Sequence, residues 1–272
     1  GDHPDGHGSA EALDPTSDAY GILEELTARL RSEIDECGDL IETPHELEPT
    51  PECEAVAPGR RLLRRLAHSE YTNTIRDLIG LEVDAEAAFV ADPVEYGFNN
   101  RPELLGVQGL LADQYRRMAE TLADAVDVEE LLPCSLVDAD ISCGHRFIVE
   151  FGRRAYRRPL TATEITTFRD FFFSVVEEEC FEQAVRWVVT AMLQSPHFLY
   201  RTEMGRRVED GFELTAFEIA TQLSYLLWRT MPDEELFSAA ADGRLLDPNE
   251  LRRQAARLIH SPRSVEMMNE FT

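Results

Sequence analysis

Two short signatures, Thr161-x-x-Glu164 and Thr215-x-x-Glu218, constrain this chain more than any other feature. In each, the threonine hydroxyl accepts from a backbone N–H of the first helical turn while the glutamate reaches back to the threonine N–H. Asp247-Pro248-x-Glu250 and Ser261-Pro262 place a cap before a proline at the first helical position, two more helix starts. Apolar residues then recur at helical spacing. Leu111, Tyr115, Met118 and Leu122 follow a 4-3-4 pattern, as do Phe181, Val185, Val188 and Met192, while Leu251, Ala255 and Leu258 mark a shorter helix. Strand signals nearly vanish beyond residue 59. The expectation is an all-α fold, an irregular array of about nine helices rather than a repeat solenoid. FEIATQLSYLLW (217–228) is apolar around most of its circumference and is expected to be the central helix. Trp187 and Trp228 are expected in the core.

The N-terminal part reads differently. Residues 1–16, GDHPDGHGSAEALDPT, are rich in Gly, Pro and Asp without periodicity and are expected to be a disordered tether. Residues 17–57 read as an acidic leader with one amphipathic helix at about 18–36, followed by the proline-rich TPHELEPTPEC. Up to residue 57 there are 16 acids against two arginines, so this leader carries over half of the net charge of −26. Such a balance, with a pI near 4.6, argues against nucleic acid and against an anionic membrane surface, both of which need a cationic surplus. No run of 18 apolar residues occurs, so no span of a bilayer is expected. All 26 basic residues are arginine. Without lysine there is no Walker-type phosphate loop, no Schiff-base enzyme and no serine–lysine dyad.

Five cysteines stand at 37, 53, 134, 143 and 180, and none forms C-x-x-C or C-x-x-C-H, so neither a zinc ribbon nor covalent haem attachment is encoded. Cys37 with Cys53, and Cys134 with Cys143, each flank a loop and are read as two local disulfides with Cys180 left over. That implies an oxidising, extracytoplasmic compartment; reduced thiols in a cytosolic protein are the alternative. No signal peptide is present, so an exported protein would be represented here by its mature form or an excised piece.

Against the acidic background, GRRAYRRPLTATE (152–164) concentrates Arg153, Arg154, Arg157 and Arg158 within six positions. A helix over 144–157 would share an apolar face of Phe147, Phe151 and Ala155. Its arginines would crowd the last turn, where the dipole favours cations. Pro159 would stop that helix and Thr161 would cap the next. The structural reading is an interhelical corner pinned by arginine–carboxylate bridges. The same four arginines are the candidate site for an anionic ligand such as sulfate, a uronic acid or a haem propionate. DPVEYGFNN, with Asp92, Asn99 and Asn100, is a candidate calcium loop by its oxygen donors, although its spacing is not that of an EF-hand. His145 and His197 are the candidate axial ligands of a non-covalently bound haem. For His197 the simpler reading is a satisfied core imidazole. His68 precedes Ser69, a candidate helix cap. Met231-Pro232-Asp233-Glu234-Glu235 reads as a turn into an acidic first helical turn.

Longer stretches are recognisable. RRLLRRLAHSEYTNTIRDLIG (60–80), GFNN (97–100) and LLADQYRRMAETLADAV (110–126) resemble the first module of a large bacterial family of unknown function, abundant in planctomycetes and myxobacteria. CGHRFIVEFGRRAYRRPLTATE (143–164) with LQSPHFLYRTE (193–203) is similar to the second module. LTAFEIATQLSYLLWRTMPDEELFSAAADGRL (214–245) with RLIHSPRS (257–264) is similar to the third. The resemblance divides residues 58–272 into modules of about 59–130, 134–205 and 212–272, the last truncated where family members continue. It implies an exported protein that accompanies c-type cytochrome segments. Its partners would be other proteins or further modules of the same polypeptide. Family members commonly carry aspartate where Asn99 stands, and no haem-attachment motif is present here. The functional expectation is an exported helical scaffold or accessory module of a redox or polysaccharide-handling assembly. An extracellular oxidoreductase or polysaccharide-active enzyme, and a haem-binding module, are the alternatives.

Overall fold

A computed structural model of the chain describes residues 63–94, 104–208, 211–265 and 267. The expected tether, the leader helix, the Cys37–Cys53 bridge, Asn99 and Asn100 lie outside the described residues. All described residues fall in the unit Arg60–Thr272.

The fold is all-α. Eleven α-helices are formed among the described residues: α1 (His68–Ile79), α2 (Ala85–Ala88), α3 (Gly109–Ala125), α4 (Val128–Leu131), α5 (Ile141–Tyr156), α6 (Ala162–Glu178), α7 (Phe181–Gln194), α8 (Pro196–Leu199), α9 (Ala216–Leu227), α10 (Glu234–Ala241) and α11 (Pro248–Ile259). Helices α2, α4 and α8 are single turns, which apolar periodicity does not register; α3, α5, α7 and α11 carry the apolar spacing read from the sequence, α6 and α9 follow the capping boxes, and α10 follows the acidic turn. Both capping boxes form. Thr161 accepts from the Glu164 N–H at 3.2 Å while Glu164 accepts from the Thr161 N–H at 2.7 Å. Thr215 and Glu218 do the same at 3.3 and 2.8 Å. Asp247 caps α11 by accepting from Asn249, and Asp233 caps α10 ahead of its acidic first turn. Ser261 caps the 3-10 turn Pro262–Ser264 by accepting from the Arg263 N–H, and Val265 and Met267 beyond it are helical.

Strands are vestigial. β1 (Arg64–Arg65) pairs antiparallel with β2 (Tyr200–Arg201), in register Arg64 to Arg201 and Arg65 to Tyr200. β3 (Arg206–Val208) and β4 (Gly211–Glu213) make a small hairpin. The β1–β2 ladder, extended by Leu66 N–H to Leu199 O at 2.8 Å, ties the start of the helical region to residues far along the chain.

One apolar core runs from Leu66 through Leu199 and takes in Tyr225 and Met231. At its centre is α7, packed against α3, α4, α5 and α6. Ala184, Val185, Val188, Val189, Met192 and Leu193 of α7 are all fully buried. That corrects the expectation for FEIATQLSYLLW. The corresponding α9 belongs mostly to a second, smaller cluster with α10 and α11 and leaves Leu226 58% exposed. Hydrophobicity around a whole helix records how much apolar surface it carries, not how many neighbours cover it. Trp187 is likewise corrected: it lies on the outer face of α7 and is 40% exposed, while Trp228 is buried, its indole N–H donating to Leu258 O at 3.0 Å.

Helix α5 spans Ile141–Tyr156, three residues earlier at its start than its apolar face implied, because Asp140 caps it by accepting from Cys143 N–H at 2.8 Å. Phe147, Phe151 and Ala155 do share its buried face. Two glycines let α6 and the α5–α6 connection lie close. A Cβ on Gly144 would meet the Phe172 ring at 2.6 Å, and one on Gly152 would meet Leu160 at 2.5 Å. Cys134 and Cys143 are joined in a disulfide that closes the loop before α5, and Cys180, at the start of α7, is exposed and free.

Closing a loop of 9 residues' separation is worth about 2–3 kcal/mol by chain entropy. The Cys134→Ser/Cys143→Ser double variant is therefore expected to lose about 2–3 kcal/mol in urea denaturation. A loss below about 0.5 kcal/mol would show that the bridge does not constrain the unfolded chain.

Candidate functional site

The arginine-rich corner forms where α5 ends. Arg157 adopts a left-handed conformation (φ 58°, ψ 23°), a position usually given to glycine because a Cβ there costs about 1–2 kcal/mol. Its guanidinium explains why arginine is held there. Nη2 donates to the carbonyls of His197, Phe198 and Tyr200 at 2.8, 2.9 and 2.8 Å, and Nη1 donates to Ala155 O at 3.2 Å. The carbonyls at the end of a single-turn helix such as α8 have no partners within the helix, so Arg157 caps α8 and holds the approach to β2. Arg157 is only 3% exposed, and its partners are backbone carbonyls.

The other three arginines diverge. Arg158 forms a two-pronged pair with Glu164 at 2.8 and 2.9 Å. The Arg158 guanidinium and the Thr161 N–H together hold the Glu164 carboxyl down at about 2, against the partial burial that opposes them. Arg153 reaches α10, with both Glu234 oxygens at 2.9–3.0 Å and its guanidinium over the Phe237 ring at 4.6 Å. Arg154 donates to the Asp77 carbonyl of α1 at 2.7 Å, and burial pulls its guanidinium below the ordinary arginine value. The expectation of carboxylate bridges thus holds for Arg153 and Arg158 and is corrected for Arg154 and Arg157, which serve backbone carbonyls. Periodicity places arginines at a helix end but says nothing of which orphan carbonyls the tertiary fold brings there.

A second polar cluster, unanticipated from the sequence, lies at the start of α1. Arg65, 1% exposed, donates to Tyr115 Oη at 2.5 Å and to Asp92 Oδ1. The other Asp92 oxygen accepts from the His68 N–H at 2.8 Å. Asp92, one residue of the candidate calcium loop, is thereby engaged by a buried cation and a backbone N–H. Among the described residues, no group of three or more His, Cys, Asp or Glu converges as metal ligands would.

His68 is 2% exposed with its ring edge-on to Phe89 at 5.3 Å. Burial and Arg65 lower its pKa while Asp92 opposes them. Its Nε2 lies 3.1 Å from Asp92 Oδ1 but is not aligned for a hydrogen bond. Helix α1 begins at His68 itself, so Ser69 is inside the helix, where its hydroxyl accepts from Arg229 at 2.6 Å instead of capping. Burial pushes the Tyr115 hydroxyl up to about 12, with Arg65 opposing, and raises Tyr71 as well. Glu70 accepts from the Ala67 N–H at 2.9 Å and lies 3.2 Å from Arg201. Tyr225, which donates to or accepts from Thr74 at 2.8 Å, lies between two guanidinium groups, Arg201 at 4.8 Å and Arg157 at 5.7 Å from its ring. Through Tyr225 the corner and the α1 cluster become one network. The signal that could have found it is RRLAH (64–68), where arginine stands directly beside an apolar pair that is fully buried.

Of the two candidate haem ligands, His145 is exposed on α5. His197 is 49% exposed beside the Tyr156 ring and Glu164, a correction to the core placement expected for it. A turn that must turn its carbonyls toward Arg157 directs the imidazole outward.

Residues 64–128 match PSD3, a protein of unknown function (DUF1587), and residues 143–203 match PSD5, a protein of unknown function (DUF1595). Residues 214–272 match PSD4, a protein of unknown function (DUF1592). The chain carries three consecutive PSD domains. No curated protein and no solved structure matches it. The corner lies in the PSD5 domain, and its contacts reach both others: Asp77 in the PSD3 domain through Arg154, and Glu234 in the PSD4 domain through Arg153.

Arg157 and Arg153 separate buried from exposed charge within one cluster. Arg157→Met, which orphans buried carbonyls, is expected to destabilise by about 3 kcal/mol. Arg153→Met, at a pair whose Glu234 side is 67% exposed, should cost under about 1 kcal/mol in the same chemical denaturation. Glu164 adds a pH test. Its folded pKa is depressed, so its contribution is fully present above about 4.5 and is lost as pH falls towards about 2. Glu164→Gln should flatten that acid limb of the stability profile; a parallel limb in the variant would refute the assignment.

Proposed function

We propose that the chain is a helical scaffold or accessory module of a larger extracytoplasmic assembly, one that handles electrons or polysaccharide. The observation that carries the reading is the fate of the four arginines. The densest positive charge in the sequence is engaged by the fold's own carbonyls and carboxylates, and it joins α5 to α1, α6, α8 and α10. The corner works as a joint between domains. The Cys134–Cys143 disulfide supports an oxidising compartment, and no helix among the described residues is long and apolar enough to cross a membrane.

An enzyme or ligand-handling module would instead use the corner's guanidinium groups on an anionic substrate. Calorimetric titration with sulfate and with a uronic-acid oligosaccharide distinguishes the two. The scaffold reading expects no saturable heat that the Arg153→Gln/Arg158→Gln double variant removes. Saturable binding abolished by that variant, with its thermal midpoint unchanged, would replace the scaffold with a ligand site.

A further inference from the structure

At the β1–β2 ladder the polar network meets apolar surface. An open groove of about 730 Å³ lies between α9, α11 and the β1–β2 ladder. Its walls are aliphatic: Ile219, Leu223 and Leu226 of α9, with Leu251 and Ala255 of α11. Its polar end carries Arg64, Arg201 and Arg229 against Glu70 and Glu203. In a chain with twice as many acids as bases, the described lining carries three arginines against two glutamates.

Two of those arginines face each other. Arg64 and Arg201 are direct partners across the β1–β2 ladder, and like charges directly opposite destabilise a strand pair. Arg201 is 6% exposed, with Glu70 3.2 Å from Nη2 and with its buried Nε lacking any hydrogen-bond partner. Arg64 is half-buried, and no described residue gives its side chain a hydrogen bond or ion pair. Burial lowers the Arg201 pKa, with Glu70 opposing and Arg64 reinforcing the effect. Among the described residues the one ion pair reaching these two facing guanidinium groups is Arg201 with Glu70, while Glu203 shares the polar end of the groove. Planar guanidinium groups match planar carboxylates. The groove volume is within the range of small-molecule sites, roughly 300–1,000 Å³, which are mostly apolar with a few convergent polar groups.

We propose that this groove binds an amphiphilic monocarboxylate, its carboxylate against Arg64 and Arg201 and its aliphatic body along α9 and α11. The site is separate from the Arg153–Arg158 corner, and it stands whether or not the chain is a scaffold or is exported.

Dodecanoate, kept below its micelle range, is the probe, with dodecanol as its neutral counterpart. Calorimetry on the full 272-residue chain should show saturable dodecanoate binding at least tenfold tighter than that of dodecanol. Arg64→Gln should weaken it at least tenfold while the thermal midpoint of the unliganded protein holds or rises, because the cross-strand repulsion is relieved. Leu226→Asn, at a position 58% exposed and so tolerant of change, should weaken it independently. Absence of saturable binding, equal affinity for dodecanol, or an affinity unmoved by Arg64→Gln would overturn the proposal. It would also be overturned by a groove that lacks dodecanoate binding and instead supports pelleting with phosphatidylglycerol vesicles, or dimerisation, lost in Leu226→Asn.

Discussion

The Arg157 guanidinium is the constraint on which the described fold depends. It sits beyond the end of α5 in a backbone conformation unfavourable to any residue with a Cβ, and it gathers the carbonyls of His197, Phe198 and Tyr200. Those carbonyls belong to α8 and the start of β2, so one side chain sets both where the second domain stops and where the ladder to β1 begins. From that ladder follow the burial of Arg65 and the placement of Arg201 opposite Arg64. The planar fork of arginine suits this role, since it can serve several acceptors at once while its face packs on the Tyr225 ring. A lysine ammonium at the same place would present a strongly hydrated point charge to a dry interior. Among the described residues, the other positive-φ residue that is not glycine, Arg229, again follows a helix end and is again a buried arginine, reaching Ser69 of α1. The fold thus uses the same device twice.

In a chain of net charge −26, cations kept at the surface would relieve repulsion. Several are instead taken inside, and the carboxylates that meet them (Asp92, Glu70, Glu164) are drawn in as well. Burying charge in this way stabilises little by itself, since desolvation offsets much of the attraction. It does specify which segments meet, because an unpaired buried guanidinium disfavours every alternative packing. On this view the three domains are joined by polar specificity laid over two apolar clusters, the larger of which takes in Tyr225 and Met231 of the third domain. The Arg64–Arg201 pair departs from the pattern, being like-charged beside an aliphatic groove.

Much of the architecture was legible in the sequence because helix starts depend on neighbours three or four residues away. Thr161, Thr215 and Asp247 cap as read, and the 4-3-4 residues of α3 and α7 face the core. Single-turn helices and two-residue strands were not legible, since neither is long enough to leave a period. The candidate site was half legible. Arginines at the end of α5 could be read as a corner with acidic partners, and Arg158 with Glu164 is such a pair six residues apart. The carbonyls that Arg157 serves lie about 40 residues away and have no side-chain signature at all.

The sequence by itself determined the all-α class, most of the longer helices with the Thr161, Thr215, Asp233 and Asp247 caps, the local Cys134–Cys143 bridge and the chemistry open to a lysine-free chain. Each of these depends on residue type or on contacts within a few turns. Only the tertiary structure decided which helix is central, which arginines meet carbonyls and which meet carboxylates, and that Arg64 faces Arg201 beside a groove. Those outcomes depend on where distant orphan carbonyls, rings and carboxylates come to rest, and on how much of each charge water can still reach.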